Sequence, residues 1–436
     1  MTVAIDPIAG GQRTGFVDAE PILRSRTFDR VFVAGGAWLV PVPIVAFYLL
    51  RMLGCTVGTA EDLVTLLVMV PLGGPHVFAT YTRTFLNPRF AREDRALFVL
   101  AFVVIAAVVG SAVASAFFDV VISGSPPLRY LLTFFFFWAG IHIVQQNSYL
   151  AACYAAKAPR RAGARWRAMG WGAVDYAVML LALYPVSLFR MSMVDLADPT
   201  MHSADPNALA TRIVAALSGS ASFADEYVFR IGHVAPILPA FLRSPAMWIG
   251  VATAFATALV LFAVKSVREH RAGTLIQHRF QLVLWMAVLG AIVPLFPDLD
   301  SSFQGMNAWH SFQYLGLCWL MNKNSLARGE IDNRFFAGLM APGRGARFYA
   351  AGLGATLLLL AGVLGVAMLI ERWSGGEFLM FGRDAPVLDK VTGRELYRPG
   401  AVLLAYYMTA FGLLLTHYLH DGVFFFRRRY VLGRSA

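Results

Sequence analysis

Ala96-Leu-Phe-Val-Leu-Ala-Phe-Val-Val-Ile-Ala-Ala-Val-Val-Gly-Ser-Ala-Val-Ala-Ser-Ala-Phe-Phe118 carries no ionisable side chain over its whole length. At about 1.5 Å per residue, a helix of this length reaches across a hydrocarbon core of about 30 Å. Only a helix keeps its backbone polar groups paired there, so the stretch sets the fold class: an all-α, polytopic transmembrane helix bundle. The composition of the 436 residues agrees, with 58% hydrophobic and 14% charged side chains. Working outward, comparable segments lie at about 31–53, 63–85, 128–153, 171–190, 245–266, 280–297, 304–322, 348–370 and 399–424, for about ten spans in all.

An even number of spans puts both ends on one face. Assigning the N-terminus, the C-terminus and the loops after the second, fourth, sixth and eighth spans to that face gathers 26 of the 37 Lys and Arg residues there. Cytoplasmic loops carry such an excess, so both termini are expected in the cytoplasm, and the net charge of +11 is mostly an orientation signal. The basic runs Lys157 to Arg167 and Arg427-Arg428-Arg429 follow helix ends, where anionic headgroups lie. They read as contacts with membrane lipids; no aromatic-interleaved motif accompanies them, and a nucleic-acid partner is not expected. The first 30 residues hold Asp6, Arg13, Asp18, Glu20, Arg24, Arg26, Asp29 and Arg30 without an apolar core, so the first span is expected to act as its own insertion signal. The expected organisation is a cytoplasmic segment 1–30 and one transmembrane domain 31–436, in a bacterial-type inner membrane. Two outer-face segments interrupt it: 191–244, with the amphipathic Ala208 to Ala221 and the Ala235-Pro-Ile-Leu-Pro239 stretch, and the polar loop 371–398. Cys55, Cys153 and Cys318 lack a CxxC spacing and read as buried free thiols.

Against this apolar background the histidines carry the functional signal. His76, His142, His310, His417 and His420 lie inside apolar runs, on the second, fourth, eighth and tenth spans. Ionisable groups in a bilayer are costly and need partners. One such histidine would be read as hydrogen-bonded to a neighbouring helix. Five of them, at overlapping depth in the inner half of the bilayer on four co-directional helices, read instead as the ligands of a shared metal ion. His202 and His233 fall in the outer segment and His270 and His278 in an inner loop, where they are expected to be solvated or structural. Around the candidate ligands, Asp421 follows His417 by four positions and could ligate the same metal or orient the ring. Gln313 and Tyr314 follow His310, and Gln146 follows His142, at one helical turn; these three are candidates for positioning bound dioxygen or water. Gly73-Gly74-Pro75 before His76 permits a kink.

Imidazole-rich sites suit Zn, Cu, Fe or Ni. A buried location favours a lipid-soluble small-molecule substrate and redox chemistry, which makes non-haem iron, mono- or dinuclear, with O2 as co-substrate the first choice. Zinc hydrolysis would need a water route and a base such as Asp421 or Asp175, and no HExxH occurs; the HxxxH and HxxHH boxes of membrane desaturases are absent as well. An electron-donor protein of unknown kind would be a further partner. Two other classes remain: a transporter with a polar site at the midplane, which would carry inverted repeats that are not visible here, and a haem-binding electron carrier with histidines in facing pairs.

The order Gly-x-Pro-His76, a histidine-bearing helix around His142, and Trp309-His310-Ser311 resembles the membrane β-carotene dioxygenases of the Brp/Blh family, over three short motifs. Those proteins bind non-haem iron through histidines on several transmembrane helices and cleave a carotenoid to retinal. The resemblance implies iron ligation by His76, His142 and His310, with His417 or His420 completing a four-histidine set.

Overall fold

The computed structural model describes residues 21–55, 57–118, 120, 122, 127–158, 172–182, 245–292, 299–331, 333–341, 343–375, 378–380, 387–388, 395–396 and 400–425. The tail up to residue 20, the basic residues 160–167 and 427–429, and the outer segment 191–244 with its amphipathic piece, His202 and His233 lie outside the described residues, as does most of 371–398. Within that last segment the described part is one antiparallel pairing, Val387 with Leu396 and Leu388 with Glu395.

Prolines shape the first two long helices. α1 (Arg26–Met52) starts at Ser25, whose hydroxyl accepts from the Phe28 amide at 3.1 Å. It passes through a π turn at Asp29–Ala34 and a 3₁₀ turn at Gly35–Leu39 before the regular stretch Pro41–Met52. Pro41 has no N–H for the Ala37 carbonyl, and the Val40 amide takes that acceptor at 3.1 Å, which tightens the chain into the 3₁₀ turn. α2 (Thr59–Tyr81) repeats the device with a π turn at Met69–Gly73 ahead of Pro75. There Pro75 cannot serve the Pro71 carbonyl, and the Tyr349 hydroxyl donates to it at 2.9 Å.

The remaining helices are α3 (Pro88–Glu93), α4 (Arg95–Phe117), α5 (Pro127–Lys157), α6 (Gly172–Ala182), α7 (Pro245–Arg271), α8 (Gln277–Ile292), α9 (Leu299–Ala327), α10 (Arg334–Met340), α11 (Gly345–Trp373), α12 (Ala401–Thr409) and α13 (Phe411–Phe424). Helix thus occupies part or all of each of the ten predicted segments. Six helical stretches are long and apolar enough to cross a membrane: α1, α2, α4, Ile249–Arg271 of α7, α11, and Ala401–Val423 across α12 and α13. These mark a helical membrane protein.

Burial runs opposite to a water-soluble fold. In α4 and α11 only 17% of the apolar window is buried, and residues such as Phe102, Val103, Leu358 and Met368 face outward. α9 is the reverse. It carries Gln304, Asn307, His310, Ser311, Gln313 and Asn322, which make it too polar for the membrane-crossing set, yet it is enclosed by α1, α2, α5 and α10. Its close crossings require glycine at two places. A Cβ on Gly305 would collide with the Val40 carbonyl at the α1 break, and one on Gly316 would meet the Phe32 ring at 2.5 Å. Around this axle, α13 packs on α2, α4 and α5, while α11 packs on α2 and α12. The axle therefore brings its polar residues against α2, α5 and α13.

Candidate metal centre

The π turn and Pro75 re-aim α2 just before His76, so that His76 and Thr80, one turn apart, face α9 and α13. His142 comes from the middle of α5, His310 from the middle of α9 and His417 from α13. Their rings form a closed circuit of edge-on neighbours. Centroids are 4.7 Å apart for His76 and His310, 4.7 Å for His310 and His142, 5.1 Å for His142 and His417, and 4.3 Å for His417 and His76. One nitrogen from each of the four lies within 4.8 Å of the other three. A tetrahedral ion with about 2.1 Å bonds to nitrogen needs separations of about 3.4 Å, and trans ligands need about 4.2 Å, so small side-chain adjustments bring this set onto one ion.

The hydrogen bonds around the rings decide which nitrogen is available. His76 Nδ1 is 2.8 Å from the Ser311 hydroxyl and His417 Nδ1 is 2.7 Å from the Thr80 hydroxyl. With those nitrogens carrying the proton, each Nε2 keeps a free lone pair. His76 Nε2 and His417 Nε2, together with both ring nitrogens of His142 and of His310, have no hydrogen-bond partner among the described residues. All four side chains are at most 2% exposed. Buried polar atoms are normally satisfied, so unpartnered nitrogens on four converging rings, one from each within reach of the others, form a group that could hold a metal ion.

Asp421, one turn beyond His417, is the carboxyl group of the centre. Its Oδ1 accepts from the Tyr314 hydroxyl at 2.5 Å and from the Thr80 hydroxyl at 3.1 Å. Its Oδ2 lies 3.4 Å from His417 Nδ1 and 3.7 Å from His142 Nε2 and has no hydrogen-bond partner. Thr80 and Tyr314 are themselves 2.7 Å apart. His417, Thr80, Asp421 and Tyr314 therefore form one network behind the ring circuit.

Of the nine residues expected at the site, these place His76, His142, His310, His417, Asp421 and Tyr314 together. His420 does not join the four-ring set: its ring sits against Phe85 and Phe90, each 5.2 Å away. Gln146 and Gln313 lie beside the centre but bind each other and the backbone. Gln146 Nε2 donates to Gln313 Oε1 at 2.6 Å and to the His310 carbonyl at 3.2 Å, and Gln313 Nε2 donates to the Val33 carbonyl at the π turn of α1 at 3.3 Å. They clamp α5, α9 and α1 around His310. Sequence reasoning missed Thr80 and Ser311. Thr80 shares a helical face with His76 four positions earlier, but that spacing does not separate a site hydroxyl from one bonded back to its own helix, and Ser311, directly after His310, does not share its face.

Asp175, considered as a base, belongs to a separate buried network. It pairs with Lys265 and, at 3.3 Å, with Arg279 Nε, while Arg279 Nη2 donates to both Glu269 carboxylate oxygens at 2.7 Å. His278, expected to be solvated or structural, is buried against Tyr154 at 5.2 Å. None of the three cysteines forms a disulfide among the described residues; Cys153 and Cys318 are buried and Cys55 is half-buried.

Fold and site together define a helical membrane protein with a buried four-histidine cluster able to hold a metal ion. Compared with protein-family models, with curated proteins and with solved structures, the chain matches none.

Proposed function

We propose that this chain is an integral-membrane oxygenase whose His76, His142, His310 and His417 hold one non-haem iron, and which uses dioxygen to oxidise a lipid-soluble substrate. The observation that carries the reading is the convergence of four buried imidazoles whose inward nitrogens have no protein partner. Bound there, iron supplies the redox chemistry that activates dioxygen. The chain's own residues do the rest. Ser311 and Thr80 fix the rings of His76 and His417, Gln146 fixes the backbone at His310, and Asp421 offsets part of the cation's charge in a low-dielectric interior.

Hydrolysis is less well served. Asp175 is held by two cations away from the cluster, and no HExxH base accompanies the histidines. Haem suits the site poorly as well, because four imidazoles around one point occupy positions where the macrocycle's own nitrogens would sit. The motifs shared with carotenoid dioxygenases make a long polyene the first substrate to test. Ten spans, cytoplasmic termini and a bacterial-type inner membrane complete the proposal.

The decisive test is elemental analysis of the purified chain. About one iron per chain is expected in the wild type, with at least a tenfold loss in His310→Ala and His417→Ala. A wild-type preparation without stoichiometric transition metal, or one showing a haem absorption band, overturns the reading.

A further inference from the structure

Among the described residues, Tyr314 is the one phenol whose hydroxyl is hydrogen-bonded into the centre. It is fully buried, with its ring 4.4 Å from His76, 5.6 Å from His417 and 6.2 Å from His310, centroid to centroid. Its hydroxyl donates to Asp421 Oδ1 at 2.5 Å and touches the Thr80 hydroxyl, which reaches His417 Nδ1. This is more than positioning demands. A phenol cannot lose an electron cheaply in an apolar interior unless its proton leaves at the same time, because the protonated radical would be an unsolvated cation. It then needs a base at hydrogen-bond distance, and here that base is a carboxylate. Tyr418 offers the contrast: its ring is just as near, 4.5 Å from His142, but among the described residues its hydroxyl makes no hydrogen bond to a carboxylate.

We propose that Tyr314 is a one-electron donor to the centre. The step rests on the oxygenase reading. Once the metal has been oxidised by dioxygen, Tyr314 gives it one electron; the phenolic O–H bond breaks, and the proton forms a new O–H bond on Asp421 Oδ1. Tyr314 is left as a neutral phenoxyl, Asp421 as a neutral acid and the metal one electron richer. An external one-electron donor restores the phenol, the proton returning from Asp421 with the electron. Thr80 keeps the phenol, the carboxylate and the His417 ring in register throughout.

The test uses the full chain in detergent, loaded with iron(II), mixed with oxygenated buffer, frozen and examined by electron paramagnetic resonance, with the iron content of each sample measured. In the wild type an organic radical is expected, with lines that narrow when the protein is grown on ring-deuterated tyrosine. Tyr314→Phe is expected to retain iron and to lose the signal at least tenfold, while Tyr418→Phe keeps it. An iron-loaded wild type with no tyrosine radical, or an undiminished signal in iron-loaded Tyr314→Phe, overturns the assignment and leaves the metal centre standing. Failure of the wild type to take up iron overturns both. Should Tyr314→Phe itself not load iron, 3-fluorotyrosine placed at position 314 alone is expected to give a fluorine-split radical; an unsplit one is a refutation.

Discussion

His417 and His420 sit three positions apart on α13, both are fully buried, and only one of them reaches the centre. Helical spacing places both near Asp421, so the residue pattern alone cannot choose; the choice is made by the segment between α2 and α4, where Phe85 in the turn after α2 and Phe90 on α3 enclose the His420 ring. His420→Phe should therefore leave the metal content of the purified protein at the wild-type level, whereas His417→Phe should abolish it. Asp421→Asn keeps the shape but removes the charge, and metal affinity should fall about 10- to 100-fold in a competition titration with a chelator. What could be read from the residues was the presence of histidines where lipid would make them costly. Thr80 and Ser311 were not legible as functional, because a hydroxyl within a span commonly bonds back to its own helix, as Ser266 does to the Phe262 carbonyl at 2.7 Å.

At the scale of elements, the kink before His76 was legible from Gly73-Gly74-Pro75, but its form was not. Proline dictates that a carbonyl is freed; whether a π turn or a simple bend results depends on what reaches that carbonyl, here Tyr349 from a helix almost three hundred residues away in sequence. The axle α9 was predicted as an ordinary span at about 304–322. It is instead a 29-residue helix turned towards the bundle on nearly every side, and the polar content that keeps it out of the apolar set is the same content that builds the site. Its seat against the α1 break admits no side chain at Gly305. Gly305→Val should destabilise the protein by about 1–3 kcal/mol or more, read as a lowered thermal midpoint in detergent, while Gly354→Ala, where an added Cβ meets nothing within 4 Å, should be close to neutral.

Among the described residues, two of the buried polar networks join helices of the bundle by different means. Asp175, Lys265, Glu269 and Arg279 tie α6, α7 and α8 with balanced charge. Lys265→Met breaks that balance and should cost about 3–5 kcal/mol, whereas Lys265→Met with Asp175→Leu, which restores neutrality, should recover most of the lost thermal stability. The histidine centre ties α2, α5, α9 and α13, and a ligand that binds only the folded state stabilises it by mass action. Stripping the metal with a chelator should lower the thermal midpoint, and adding iron back should restore it. The helical class was legible because apolar length is a local property. The architecture around the axle was not, since it depends on which polar faces find each other across hundreds of residues.

The placement of Asp421 and His417 on the last described helix sets a timetable for biosynthesis. Thr80 and Asp421 are 341 residues apart, an interval that a ribosome adding about 5–20 residues per second takes about 20–70 s to cover. During that time His76 waits in the nascent bundle, joined first by His142 and then by His310, before His417 is made. On the proposed reading, an ion held by all four histidines would be bound only once the chain has been made through α13, and products truncated before that helix should bind it less tightly.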